Sequence, residues 1–403
     1  MSLVFKVGTL IDGTGGQPLR NAVVVVNDGR IAAVGHEGDV KQPADAEIIE
    51  APGHTLMPGM IDCHVHVMLS SLSIEERLLT HRTVGLFLAA RNLLETLKAG
   101  FTTVRDAGGA DTGLRQALEM GLAEGPRLVT SGIIGQTGSH MESYFPSGVT
   151  LDLGGAAKAR ICDGVNEVRK GVRELLREGF DFIKICTTGG VIAPQDSPHF
   201  TEFTVEEIKT IVETAQCQGK AVMAHAEGTQ GIKNAIAAGV WSVEHASIQD
   251  DEATRLLVDS GVYLVPTLLL PQWIIDHGKE QGLGQFALRK AAQLHELHVA
   301  SFRKAAKAGA KIALGTDAAG VLHGRNAREL TLMVEGGLSP MQAIVAATKT
   351  AAEACRVSDL VGTIEAEKLA DMVLVDGNPL VDISILEQRN RLRVFKGGKR
   401  IAT

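Results

Sequence analysis

The 403-residue chain is long enough for one large domain with a smaller companion, and with 45 % hydrophobic and 22 % charged residues it has an ordinary globular composition. Its formal net charge of −7, with no basic run or basic helical stripe, argues against non-specific binding to nucleic acid or to an anionic membrane. Five scattered cysteines, Cys63, Cys162, Cys186, Cys217 and Cys355, form no CxxC pair and fit free thiols in a reducing cytosol, with Cys63 and Cys186 read as small buried fillers.

The opening MSLVFKVGTLIDGTGG enters strand-like alternation at once and lacks the charged start and long apolar stretch of an export sequence, so a cytoplasmic location is expected. No apolar run approaches the roughly 20 residues that cross a bilayer. Short β-branched runs follow, LVFKVGTLID, AVVVVNDGRIAAVG and AEIIEAPG, punctuated by turn signals at Asp12-Gly13 and Asp28-Gly29. The C-terminal end returns to that texture in GTIEAEKLADMVLVDGNP and LRVFKGGKRI. Neither end has enough strands to bury a core alone, so residues 1–57 and 360–403 are expected to build one small β-sandwich domain together.

Over residues 58–359 the pattern becomes strand, loop, helix, repeated. Eight candidate strands stand in order: TLMPGMIDCHVH, FTTVRDAGG, RLVTSG, FDFIKICTTGG, KAVMAHAE, WSVEHAS, VYLVPTL and KIALGTDAA. Most are continuous apolar runs, as parallel strands covered on both faces require. Helical segments such as VNEVRKGVRELLREG and FTVEEIKTIVETAQCQG fall between them, and Gly179, Gly219, Gly239 and Gly309 punctuate helix ends. The expected fold is therefore α/β, a (β/α)8 TIM barrel, and no GxGxxG or GxxxxGK[ST] follows a strand to suggest an open phosphate-binding sheet.

Polar residues fall where such a barrel would place chemistry. His64 and His66 end the first strand, Lys184 lies in the fourth, His225 and His245 end the fifth and sixth, and Asp317 ends the eighth. The C-terminal ends of barrel strands converge on one mouth, so residues more than 250 positions apart would meet. Each has an ordinary alternative taken singly: a surface or buried structural histidine, or a helix N-cap for Asp317. His-x-His on a strand puts both imidazoles on one face. Lys184 is the hardest to explain as structure, because a buried unpaired ammonium is costly; carbamylation by CO2 would turn it into an anionic bidentate group.

This set, HVH, a fourth-strand lysine, two single histidines and GTDA, resembles the amidohydrolase superfamily of binuclear, carboxylated-lysine type, over essentially the whole chain. The motifs TTVRDAGG, QTGSH, KICTTGG, AHAEG and VEHAS are similar to the branch of imidazolonepropionase-related hydrolases, prolidase-like dipeptidases and arginine/lysine carboxypeptidases. The resemblance implies that His64, His66 and Asp317 bind one divalent metal and His225 and His245 another, bridged by carboxylated Lys184, with zinc the expected metal. It implies a metal-activated water, Asp317 as acid–base and His140 assisting the scissile carbonyl. The expected substrate is a small molecule, a dipeptide or N-acyl amino acid that releases a C-terminal L-amino acid, and a homo-oligomer is expected.

Substrate choice is less legible. Glu227 stands where prolidase-like relatives carry a tyrosine, and it could pair with a cationic substrate group. In HGRN after the eighth strand, His323 and Arg325 are candidate substrate contacts, and Arg325 or Arg328 could hold a carboxylate. The alternative for Arg328 is an exposed helix face near Glu329. Rival readings are a hydrolase of cyclic amides, ureas or carbamates, a mononuclear deaminase and a non-catalytic interaction protein. Lys184 fits poorly with one metal, and an interaction protein is expected to have lost ligands.

Overall fold

The computed structural model describes residues 2–142, 159–191 and 193–402, the side chains of Ile74 and Glu75 excepted. Among the described residues no helix is long and apolar enough to cross a membrane.

The N-terminal alternating runs form β1 (Ser2–Leu10), β2 (Leu19–Asn27), β3 (Arg30–His36) and β4 (Glu47–Pro58). The Asp28-Gly29 turn joins β2 to β3 with both residues left-handed, φ 48° and 78°, the twist a two-residue hairpin needs. In β1 the register shifts between Val7 and Thr9, where a Cβ on Gly8 would lie 2.0 Å from the Pro52 carbonyl oxygen. Only glycine permits that approach.

The parallel strands follow: β5 (Met60–His66), β6 (Phe101–Asp106), β7 (Arg127–Val129), β8 (Ser131–Gly135), β9 (Arg160–Ile161), β10 (Phe182–Cys186), β11 (Ala221–Ala226), β12 (Ser242–His245), β13 (Tyr263–Val265), β14 (Lys311–Ile312) and β15 (Ala318–Ala319). The chain ends with β16 (Met372–Asp376), β17 (Leu392–Lys396) and β18 (Lys399–Arg400). The two chain ends meet where β16 pairs antiparallel with β4, giving one seven-stranded sheet in the order β18-β17-β16-β4-β1-β2-β3. The strands hydrogen-bond in one continuous order. Leu3, Phe5, Val24, Leu56, Leu374 and Phe395 share a core cluster, with the Phe5 and Phe395 rings edge-on at 4.9 Å.

The parallel strands and intervening helices make a TIM-barrel-like α/β fold. Two hydrogen-bonded groups appear, β15-β5-β6-β7 and β14-β13-β12-β11-β10-β8-β9. Thr130 separates β7 from β8, and its N–H and hydroxyl both donate to Asp181 Oδ2. The third expected strand therefore pairs with β6 through its first half and β10 through its second. The last segment behaves alike: β14 pairs with β13, then Cys63 N–H donates to the Leu314 carbonyl and Asp317 N–H to the His64 carbonyl. Gly315 allows this, since a Cβ there would lie 2.3 Å from Val265 Cγ1 and 2.9 Å from His64 Cβ.

The helices Gly164–Glu178, Thr229–Ala238 and Gln285–Ala308 end on Gly179, Gly239 and Gly309, each left-handed at the C-cap. Gly219 lies two residues beyond the Cys217 cap of Val205–Gln216, whose start is a Thr204–Glu207 capping box. All five cysteines are free, four of them buried and Cys217 exposed.

Candidate metal centre

Each strand-end histidine has one ring nitrogen engaged by the fold. His64 Nδ1 donates to Glu244 Oε2 at 2.7 Å, and His66 Nδ1 donates to the Gly108 carbonyl at 2.8 Å. Asp106 aims that carbonyl by accepting from the N–H groups of Val67, Gly108 and Ala110. His225 Nε2 donates to the Gly189 carbonyl at 3.1 Å, and His245 Nδ1 lies 2.6 Å from Thr267 Oγ1. This leaves Nε2 of His64, His66 and His245, and Nδ1 of His225, as the ring nitrogens that could meet a metal.

These rings meet. Centroids lie 5.4 Å apart for His64–His66, 5.1 Å for His64–His245 and 4.6 Å for His225–His245. Asp317 Oδ1 stands 3.5 Å from His64 Nε2 and 3.2 Å from His66 Nε2. Among the described residues, His64, His245 and Asp317 offer ligand atoms within 4.8 Å of one another. Lys184 is buried on β10, and its charge acts on His64, His225, His245 and Asp317.

The electrostatics suit ligation. Burial, reinforced by the charge of neighbouring Lys184, holds His64, His225 and His245 well below the usual histidine range, so these imidazoles are neutral. Burial also pushes the Lys184 amine down. Burial alone would raise Asp317, but His64, His66 and Lys184 hold its carboxyl at about 2. His245, Thr267 and Asp317 all carry left-handed backbone, φ 71°, 54° and 56°, uncommon for residues with a Cβ and concentrated here at the strand ends.

That backbone explains a residue the sequence did not reveal. Neighbours on a strand face opposite sides, yet Glu244 and His245 both reach His64, because the turn of His245 out of the β-region breaks the alternation. Glu244 is fully buried and its Oε1 accepts from Arg105 Nη2 at 3.0 Å. Arg105, also fully buried, donates from Nε to the Cys63 carbonyl at 2.7 Å and lies over the Phe182 ring. A further carboxylate, Asp62, accepts from the N–H groups of His64 and Thr316, from Thr316 Oγ1 and from Asn326 Nδ2, tying β5 to the loop that carries Asp317.

A polar wall stands beside His225. The His140 ring stacks on His225 at 4.6 Å, and its Nδ1 donates to Asp196 Oδ2 at 2.6 Å. Glu202 accepts from the His140 N–H. Glu227 is buried with Oε1 3.9 Å from His225 Nε2. Burial raises both Glu202 and Glu227 to about 8, with Asp196 adding to the shift. Asp196 and Glu202 lie on a long loop after β10, and nothing local in the sequence marks them.

The residues expected after the eighth strand are placed differently. His323 has Nδ1 3.2 Å from Thr96 Oγ1, in the helix Arg82–Lys98, and Nε2 3.3 Å from the His66 carbonyl of β5, so both ring nitrogens are engaged by the fold. Arg325 is exposed and packs over the Trp273 ring at 5.2 Å. Arg328 pairs with Glu335 at 3.2 Å, while Glu329 turns inward to accept from the N–H groups of Leu268 and Leu269.

Imidazole nitrogens with fixed tautomers, an ionised aspartate and a buried amine make a donor set that fits divalent metals. The amidohydrolase family model matches residues 55–401. Ochratoxinase of Aspergillus niger is 35 % identical over 417 residues, 98 % of this chain and 86 % of that protein. Imidazolonepropionase of Geobacillus sp. (strain WCH70) is 26 % identical over 392 residues, 89 % of this chain and 84 % of that protein. A crystal structure of a prolidase complexed with N-methylphosphonate-L-proline has a TM-score of 0.93 and 35 % identity, covering 100 % of this chain and 99 % of that one. With the strand-end histidines and these matches together, the chain belongs to the amidohydrolase family, in its imidazolonepropionase-related branch, and is a hydrolase acting on C–N bonds.

Proposed function

We propose that this enzyme releases a C-terminal L-amino acid from a dipeptide or N-acyl amino acid at a binuclear metal centre. The observation that carries the reading is the convergence of four histidines, Lys184 and Asp317 from five strand ends. It takes the parallel strands as a closed (β/α)8 barrel over residues 58–359, with residues 1–57 and 360–403 as a separate β-domain, in a cytoplasmic homo-oligomer. His64, His66 and Asp317 would hold one metal and His225 and His245 the other, with zinc the best match to the donors. The Lys184 amine, once unprotonated, would add to CO2, forming one N–C bond as one C–O π bond opens and releasing one proton, and the anionic carbamate would help hold both metals.

When bound, the metals activate water and polarise the scissile carbonyl. Asp317 accepts a proton from the attacking water at a carboxylate oxygen and passes it to the leaving nitrogen. His140, oriented by Asp196, steadies the carbonyl oxygen. An L-amino acid leaving group is supported by the prolidase neighbour, whose bound compound is N-methylphosphonate-L-proline.

The test is a substrate screen of the metal-loaded enzyme against dipeptides and N-acyl amino acids varied at the C-terminal residue, with cyclic amides, ureas and carbamates alongside. Turnover of acyl amino acids is expected. Activity confined to cyclic amides, ureas or carbamates would contradict the peptidase reading and leave the hydrolase standing.

A further inference from the structure

At the end of β12 the chain makes a turn that strand geometry does not supply. Ala246 N–H donates to the Glu244 carbonyl at 2.9 Å across His245, whose φ is 71°. A bond between residues i and i+2 around a positive φ is a γ-turn of the rare, strained hand. Ala246 follows with φ 50°, so two residues with a Cβ stand left-handed in succession. Backbone of this kind persists only where its surroundings hold it. The His245 imidazole meets His64 and His225 from this turn, so whatever holds the turn also aims the ring.

One helix supplies the hold. Gln285–Ala308 buries a face that includes Ala291, Leu294, Phe302 and Ala305, and two polar residues interrupt it, His298 and Ser301. His298 is 1 % exposed, and its Nε2 donates to the His245 carbonyl at 3.1 Å. Its Nδ1 is buried without a partner, a cost that an apolar side chain at this place would not carry. The carbonyl of Pro266, the residue before the Thr267 that meets His245 Nδ1, acts on the same ring. Ser301 lies three residues on, along the same helix face. Its Oγ accepts from Gln249 N–H at 3.0 Å, and Gln249 Nε2 donates to the Ala246 carbonyl at 3.0 Å. The carbonyls of both left-handed residues are thus tied to this helix, one directly and one through Gln249.

We propose that His298 is a positioning residue for the metal centre: with Ser301 it holds the turn at His245 and Ala246, and so sets how tightly the site binds metal. This rests on the metal-dependent hydrolase reading given above. His298 donates to the backbone of His245 and is not itself a ligand. Without its N–H, the buried His245 carbonyl loses its donor, the turn relaxes towards strand geometry and the imidazole swings away from His64 and His225.

The experiment is zinc competition against a graded chelator, with metal content read per chain, on the wild type and four single variants. His298→Leu removes the donor at similar volume, and zinc affinity should fall by roughly 10–100-fold. His298→Gln returns an N–H near the place of Nε2 and should recover most of that loss, which a packing role alone would not give. Phe302→Leu disturbs the same buried helix face and should bind zinc as the wild type does. Ser301→Ala should weaken zinc severalfold. Wild-type affinity in His298→Leu, or equal losses in His298→Leu, His298→Gln and Phe302→Leu, would overturn the proposal. If His298→Leu does not fold, Ser301→Ala decides: a severalfold loss supports the hold, and wild-type affinity overturns it. A wild type that takes up no zinc would instead remove the metal-centre reading, and the proposal with it.

Discussion

His64 owes its orientation to Glu244, and Glu244 is held in place by Arg105. All three are essentially inaccessible to solvent, so the ionic members are costly to bury and worth keeping only as a complete set. Glu244→Gln retains an acceptor for His64 but leaves Arg105 as an uncompensated buried charge. The expected result is a metal-free protein destabilised by about 3–5 kcal/mol in urea unfolding. Metal affinity, followed by chelator competition, should weaken by roughly 10–100-fold. Unchanged values of both would show that His64 needs only an acceptor and that Arg105 is satisfied without the carboxylate. Arg105 and Glu244 were not singled out from the sequence, although each is, like Lys184, a charged residue inside an apolar strand. What hid Glu244 was its position next to His245, since regular alternation sends adjacent residues to opposite faces. The left-handed φ of His245, which cancels that rule, leaves no mark in the sequence.

At the scale of elements, strands and helix ends followed from apolar runs and glycines because those signals are local. The breaks at Thr130 and between β14 and β15 did not, because each is set by a distant partner: Asp181 for the first, His64 and the Leu314 contact with β5 for the second. The loop after β10 is a similar case. Its shape depends on Lys290, from the helix Gln285–Ala308, whose amine sits 2.9, 3.2 and 2.6 Å from the carbonyl oxygens of Ala193, Pro194 and Asp196. Asp196 in turn holds His140. Lys290→Ala removes the clamp without touching any proposed ligand, so His140 loses its fixed position. Dipeptide kcat/KM should fall by roughly 10–100-fold, as misplacement of a group by an ångström does elsewhere, while metal content stays at the wild-type level. Wild-type kcat/KM in this variant would show that the loop holds its shape without the lysine.

Across the whole molecule, the two chain ends share a sheet that leads directly into the site. β4 passes through Gly59 into β5, where Gly59 N–H donates to the Asp371 carbonyl and a Cβ would lie 2.2 Å from Thr102 Oγ1. The strand that carries His64 and His66 therefore starts at the join between the sheet and the parallel strands. That union of distant ends was readable because both have the same alternating texture; that they form one sheet was not, since alternation fixes faces and not pairing order. The site was readable for a related reason: ligand-type residues at successive strand ends are improbable unless the strands converge. The central claim is a binuclear centre organised by Lys184, and metal content per chain after loading with zinc in bicarbonate buffer tests it most directly. The account predicts about two ions per wild-type chain and a clear deficit in Lys184→Ala, partly restored by small carboxylates. One ion in the wild type, or about two retained in Lys184→Ala, would contradict it.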